Sequence, residues 1–339
     1  MSPAATSDGA AAAAAGPAAS GGRASVGIVG GGPWGVALAL AAGRTGADVV
    51  IFSRREQPQR DDSAHVRASG EHRPQAHVTN EYARVARARV IVIAVPSNAA
   101  RTALRALGDH LDGSHVVIHG VRGLDSEELT TISDLIRDET PARRVGALGG
   151  PVQADELTRG QPSAMVCGSR FPEVLAAVTE AFQSSWLRVY TTPDLRGLEW
   201  ASALVGCLAI GVGFAEQAGA GPGLLAALIS RAVDEAARIA AAAGAEERTM
   251  LGLGGYGDLL ASIALEGRPE VLLGKALARG RSLDEAVTEA RLRVEAIELI
   301  PRVVAFARAR GVRAGTFEAL ERVLKEDRPE PILERMFSA

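Results

Sequence analysis

Ten residues near the start, Val26-Gly27-Ile28-Val29-Gly30-Gly31-Gly32-Pro33-Trp34-Gly35, limit what this chain can fold into more than any other stretch. Short, mostly β-branched apolar residues predict a buried strand. Gly30, Gly32 and Gly35 then spell G-x-G-x-x-G, and Val36 to Ala42 continue as an Ala/Leu-rich helix. Each glycine has a physical task in a strand-turn-helix unit. Gly30 allows the turn, Gly32 lets backbone N–H groups approach a pyrophosphate, and Gly35 lets the helix pack closely on the strand. Phosphates held there would sit at the positive end of the helix dipole. In a chain with 38 glycines the bare pattern is weak, and a glycine-rich turn that binds nothing is the alternative; the strand before it and the helix after it favour nucleotide binding.

The next strand, Asp48-Val49-Val50-Ile51-Phe52, ends at Ser53-Arg54-Arg55. An Asp or Glu about 20 residues after the glycines would bond the ribose hydroxyls of NAD. Ser53, Arg54 and Arg55 stand there instead, and an arginine fork suits a 2′-phosphate, so the local chemistry favours NADP(H), with NAD(H) as the alternative. Residues 56 to 80 are polar and carry Pro58, Gly70 and Pro74, which predicts an irregular surface segment. Arg89 to Ser97 is an apolar strand ending in Pro96-Ser97, followed by a helix from about Asn98 to Leu107. A strand apolar on both faces belongs to a parallel sheet covered by helices. Val116 to Ile118 repeats the theme, followed by Gly120-Val121-Arg122-Gly123-Leu124 and a helix capped near Asp125 or Ser126. Further strands are expected at 145–148, 164–167 and 187–190.

After about Thr191 the strand-helix alternation gives way to helical segments at roughly 196–217, 222–243, 256–265, 269–279, 283–310 and 315–325. The expected fold is therefore α/β: a tail at 1–24, a Rossmann-type dinucleotide-binding domain at 25–191 and an all-helical substrate and dimerisation domain at 192–339. The tail is Ala/Gly/Ser/Pro-rich, without the charged start and apolar core of a signal peptide, and reads as disordered.

Composition closes off several classes. A net charge of −3 with no Lys/Arg run argues against a nucleic-acid partner. No apolar run is expected to reach the roughly 18 residues of a membrane span, because Arg, Glu or Gly interrupt each one. Cys167 and Cys207 read as reduced packing thiols, which suits the cytoplasm. His115 and His119 flank a strand, about 13 Å apart, too far to share a metal, and no metal site is expected.

Taken in order, the motifs resemble those of the NAD(P)-dependent glycerol-3-phosphate dehydrogenases. They are G-G-G-P-W-G-V-A-L-A at 30–39, A-V-P-S at 94–97, R-G-L at 122–124, G-G-P at 149–151 and G-Q-P-S-A at 160–164. Beyond these come R-V-Y-T-T-P-D at 188–194, G-L-E at 197–199, A-L-I-S-R at 227–231 and G-L-G-G-Y-G-D-L at 252–259. The resemblance implies a dimeric enzyme of glycerophospholipid metabolism that exchanges hydride between nicotinamide and C2 of a three-carbon phosphate. By position it implies that Gly30, Gly32, Trp34 and Gly35 hold the cofactor, that Pro96 and Ser97 border the nicotinamide, and that Glu295 contacts the cofactor. Asp258 and Ser262 would face the substrate, and Arg268 would meet its phosphate.

The departures fall where the chemistry should be. The family carries a lysine at the place of Arg122, and its helix reads Ala-Leu-Lys-Asn where this chain has Ala203-Leu204-Val205-Gly206. Its Ser-Arg-Asn loop reads Gly267-Arg268-Pro269 here, and an asparagine expected near Gly223 is missing. Only Lys275 and Lys325 are lysines among 37 basic residues, so exchange of lysine for arginine accounts for Arg122. It cannot account for Val205, which has no proton to give. Three readings follow: a glycerol phosphate dehydrogenase in which Arg122, Asp258 or water takes over proton transfer, a related reductase with another alcohol or ketone, and a nucleotide-binding protein without catalysis.

Overall fold

The β-branched runs become the core of a sheet. The computed structural model describes residues 24–54, 76–125, 129–265, 267–290 and 294–325. Its first half runs β1 (Ser25–Val29), α1 (Pro33–Arg44), β2 (Asp48–Phe52), β3 (Ala76–Thr79), α2 (Tyr82–Val85), β4 (Val90–Ile93) and α3 (Ser97–Gly108). It continues with β5 (Val116–His119), α4 (Ile132–Glu139), β6 (Arg144–Gly149), α5 (Ala154–Arg159), β7 (Ser163–Gly168), α6 (Pro172–Phe182) and β8 (Leu187–Thr192). These eight strands form one sheet in the order β3-β2-β1-β4-β5-β6-β7-β8, parallel except where β7 meets β6. Val90 to Ile93 and Val116 to His119 are buried at every position, as helices on both faces require.

The order reverses at β1: the chain leaves β1 towards β2 and leaves β4 towards β5 on the other side. A crevice therefore opens above the carboxyl ends of β1 and β4, the place where open α/β sheets take ligands. Gly30 to Gly32 and Ala94 to Ser97 are the two loops on its rim.

The second half is helical: α7 (Leu195–Gln217), α8 (Pro222–Ala242), α9 (Glu247–Leu251), a π-helical turn at Leu253–Gly257, α10 (Asp258–Ala264), α11 (Pro269–Ala278), α12 (Leu283–Ala290), α13 (Ala296–Ala309) and α14 (Gly315–Lys325). Its axis is α7, whose residues from Leu195 to Ala215 are almost all buried. A Cβ on Gly274 of α11 would lie 2.0 Å from the Ile210 carbonyl oxygen, and one on Gly213 of α7 would lie 2.3 Å from that of Val271. Glycines thus let the two backbones touch, and the start of α11 is carried to the middle of α7.

Five expectations need correction. Ala76 to Thr79 is not irregular but an edge strand parallel to β2, with Ala76 beside Val49 and Thr79 beside Phe52; its four residues were hidden by the polar segment before them, of which 56–75 lie outside the described residues, as does the tail at 1–23. The cap of α4 is Thr131, whose hydroxyl accepts the Asp134 N–H, and not Asp125; Ser126 lies outside the described residues. The segment 283–310 is two helices rather than one. The short helix α9 had no counterpart in the sequence reading, because five residues are too few to show a helical period. Finally, α7 is long and apolar enough to cross a membrane, since glycine does not interrupt an apolar helix; it is almost wholly buried inside the molecule, as a core helix requires.

Candidate active site

The glycine turn has the geometry its sequence requires. Gly30 adopts φ +133°, and a Cβ there would lie 2.3 Å from the Ala94 carbonyl, so the two crevice loops touch. A Cβ on Gly35 would lie 1.9 Å from the Gly30 carbonyl, which fixes α1 against the end of β1. At Gly32 a Cβ would meet nothing within 4 Å, leaving open space at the start of α1, where no side chain caps the helix. Uncapped N–H groups beside that space fit a pyrophosphate. Trp34 leans from the first turn of α1 against Gly120, and its buried indole Nε1 has no hydrogen-bond partner among the described residues.

At the other end of the crevice, Ser53 is buried beside Gly31, and its N–H bonds the Thr79 carbonyl at 2.9 Å. Arg54 is exposed at the end of β2, while Arg55 lies outside the described residues. The Phe52 ring stacks on Tyr82, 3.9 Å between centroids, and burial pushes the Tyr82 hydroxyl above its ordinary value, against the opposing field of Arg54. Tyr82 was not read from the sequence as part of this region, because the strand that brings it there was missed.

Above β4, Pro96 caps α3 and the Ser97 N–H bonds Glu295 Oε1 at 2.8 Å. A carboxylate at a helix N-terminus is stabilised by the free N–H groups there. Glu295 also packs on Gly123, where a Cβ would come within 2.2 Å of Oε2, so any side chain there would displace the carboxylate. The loop after β5 is therefore clamped between Trp34 and Glu295, and Arg122 projects from it.

Arg122 Nη1 bonds both oxygens of Asp258, at 2.8 and 3.0 Å. Asp258 opens α10 and is fully buried; one turn later Ser262 donates to the Asp258 carbonyl at 2.5 Å and lies 3.3 Å from its Oδ1. Ser262 Oγ accepts from Arg268 Nη1, and Arg268 Nε bonds Glu270 Oε2 at 3.0 Å. Burial pushes the Arg268 guanidinium below its ordinary value and nearby Arg122 adds to this, while Glu270 and Asp258 pull the other way. Four residues singled out in the sequence, Arg122, Asp258, Ser262 and Arg268, thus form one continuous chain of contacts, with Glu270 as its last member.

Glu270 went unread because Pro269-Glu270 is an ordinary helix opening, proline at the first position and an acid in the first turn. The second omission is Glu199. His119 Nδ1 faces the Val121 N–H at 3.3 Å, so its Nε2 carries the proton and donates to Glu199 Oε1 at 2.9 Å. Ser133 completes the set by donating its N–H at 2.7 Å and its hydroxyl at 2.8 Å to the same carboxylate. All three are buried, and they tie β5, α4 and α7 together directly beneath the Arg122 loop. The G-L-E motif pointed to Glu199 without revealing its partners.

Val205 is fully buried, and a Cβ on Gly206 would find Glu270 Oε1 at 3.8 Å as its nearest neighbour. Both cysteines are buried and unbridged; burial pushes the Cys167 thiol up to about 12 and raises that of Cys207 as well, which makes them inert packing residues.

Sequence models of two consecutive domains match this chain: the NAD-dependent glycerol-3-phosphate dehydrogenase N-terminus over residues 25–174 and the corresponding C-terminus over 194–333. The chain belongs to the NAD-dependent glycerol-3-phosphate dehydrogenase family. Among similar proteins of this family, the glycerol-3-phosphate dehydrogenase [NAD(P)+] of Agathobacter rectalis is 31% identical over 310 residues, 90% of this chain and 92% of that protein. A second enzyme of that name from Salinibacter ruber is 30% identical over 324 residues, 93% of this chain and 94% of its own. The fold matches the glycerol-3-phosphate dehydrogenase of Coxiella burnetii with a TM-score of 0.84 at 23% identity, over 94% of this chain and 99% of that one. The Saccharomyces cerevisiae enzyme gives 0.82 at 18% identity, over 94% and 100%.

Proposed function

We propose that this protein is an NAD(P)-dependent oxidoreductase that interconverts a secondary alcohol and a ketone on a small polar substrate, with glycerol 3-phosphate and dihydroxyacetone phosphate as the reference pair. The observation that carries this reading is the convergence of Arg122 with Asp258, 136 residues further along the chain, and through it with Ser262 and Arg268, beside the crevice bordered by the glycine turn. In this reading Gly30, Gly32, Trp34 and Gly35 hold the dinucleotide phosphates, Ser53, Arg54 and Arg55 its adenosine end, and Pro96, Ser97 and Glu295 flank its nicotinamide. The bound nicotinamide supplies hydride exchange. The arginine at 54, in place of an acid, supports a preference for NADP(H).

The protein's own groups handle charge and orientation. Arg122 steadies the negative charge that develops on the substrate oxygen, and Asp258 holds its guanidinium in place. Ser262 and Arg268 seat the polar tail of the substrate. Buried Val205 favours the second reading, a related alcohol or ketone substrate, because the proton-shuttling lysine implied by the family resemblance has no counterpart on α7. The expected homodimer and the cytoplasmic location, which suits two unbridged cysteines, belong to the same proposal.

The test is turnover with NADPH and NADH on dihydroxyacetone phosphate and a panel of small ketones, beside the Arg122→Ala variant. Arg122→Ala should lower kcat/KM by about 10²-fold or more, and Arg122→Lys should retain most of it. Equal turnover in Arg122→Ala would remove Arg122 from the reaction.

A further inference from the structure

The family resemblance implies that one arginine, Arg268, meets a substrate phosphate. The structure surrounds that arginine differently from an anion seat. Its Nε is taken by Glu270 at 3.0 Å and its Nη1 by Ser262, leaving Nη2, which is buried and has no partner among the described residues. The Glu270 side chain is 18% exposed and that of Arg268 only 6%, so the pair is largely shielded from solvent. Arg122, the second guanidinium, is matched by Asp258. The cluster contains two arginines and two carboxylates and sums to zero charge.

A phosphate ester carries close to two negative charges at neutral pH and is best met by a fork of donors with net positive charge. A dianion approaching Arg268 is also repelled by the Glu270 carboxylate bonded to its Nε, in a largely buried setting where water screens little. Nη2 is the one Arg268 nitrogen left without a partner among the described residues, and the charge of its guanidinium is already matched by Glu270. Space agrees with charge: Glu270 Oε1 lies over Gly206, 3.8 Å from where a Cβ would stand, on the helix face where the family resemblance implies an asparagine.

From this we infer that Glu270 determines substrate charge: the site selects a hydroxy or keto compound whose tail carries at most one negative charge, such as a carboxylate, over one ending in a phosphate dianion. This rests on the reading of Arg268 as a substrate-facing residue and names the substrate class that reading left open.

The test is calorimetric titration of inorganic phosphate and of formate into the full-length protein and its Glu270→Gln variant, both saturated with NADP+ so that the glycine turn and Arg54 are already occupied. The amide oxygen of glutamine keeps the bond to Arg268 Nε, so the substitution removes charge and little else. Glu270→Gln should bind phosphate at least about tenfold more tightly than the unaltered protein, with formate changed less than about threefold. Glu270→Asp, which retains the charge, should stay as weak as the parent. Equal phosphate affinity in parent and Glu270→Gln, a gain in Glu270→Asp, or no phosphate binding by any of them would overturn the inference. Lack of turnover on every ketone would remove the oxidoreductase reading and leave this comparison of affinities standing.

Discussion

Glu199 is the residue whose loss should be felt furthest. Its carboxylate satisfies the His119 ring, the Ser133 N–H and the Ser133 hydroxyl, all inside the molecule. Glu199→Ala would leave the His119 Nε2–H and the Ser133 N–H buried without partners, the Ser133 hydroxyl keeping Thr131 Oγ1 at 3.1 Å, and about 3–5 kcal/mol of stability should be lost. Glu199→Gln keeps one acceptor and should cost less. Urea unfolding midpoints measure both, and an alanine variant as stable as the parent would mean that water replaces the carboxylate. In the cofactor crevice the expected effects are on binding. A bulky residue at Gly32 should fill the open space at the start of α1 and abolish dinucleotide binding, read by NADPH fluorescence. Arg54→Ala should weaken NADPH and leave NADH unchanged; higher affinity for NADH in the parent would refute the NADP(H) preference.

Among the elements, α14 offers a pH experiment. Glu235, on α8, accepts the N–H groups of Thr316 and Phe317 at 3.1 Å and so caps α14 from outside the helix. Burial raises its carboxyl above the ordinary value, and the two N–H bonds only partly oppose this. Because the folded value exceeds the unfolded one, the folded state binds more protons between the two. This contribution to stability is complete below the unfolded value, about 4.3, and is lost as pH rises through the folded one. The stability of the parent relative to Glu235→Gln should therefore fall as pH rises above the unfolded value, as unfolding midpoints across the acid range will show; a difference that grows with pH would reverse the assignment. The crossing of α7 with α11 is tested by Gly274→Ala, which should cost about 1–3 kcal/mol because its methyl would meet the Ile210 carbonyl.

The elements also show what a sequence can reveal. β1, β2, β4 and β5 were legible because buried parallel strands are continuous apolar runs. β3 was not, because an edge strand of four residues with exposed His77 lacks that run. Arg122, Asp258, Ser262 and Arg268 were readable one by one from motif order. Their linkage was not, since it depends on how α10 and α11 pack on α7. Glu270 and Tyr82 owe their places wholly to that packing and to the missed strand.

Across the whole molecule, two halves with different periodicities meet at the crevice, and the account stands or falls on what happens there. Family membership and the intact glycine turn predict cofactor chemistry, while Val205 and the neutral charge of the Arg122–Glu270 cluster predict an altered substrate. Glycerol 3-phosphate should therefore be oxidised slowly, and Val205→Lys with Gly206→Asn should raise that rate, provided the pocket has not closed around valine. The most direct measurement is NADPH consumption by the unaltered protein with dihydroxyacetone phosphate and with unphosphorylated or carboxylated three- and four-carbon ketones. The account predicts turnover with at least one ketone, faster with a singly charged or neutral tail than with the phosphate. NADPH that binds but is never oxidised by any of them would contradict it.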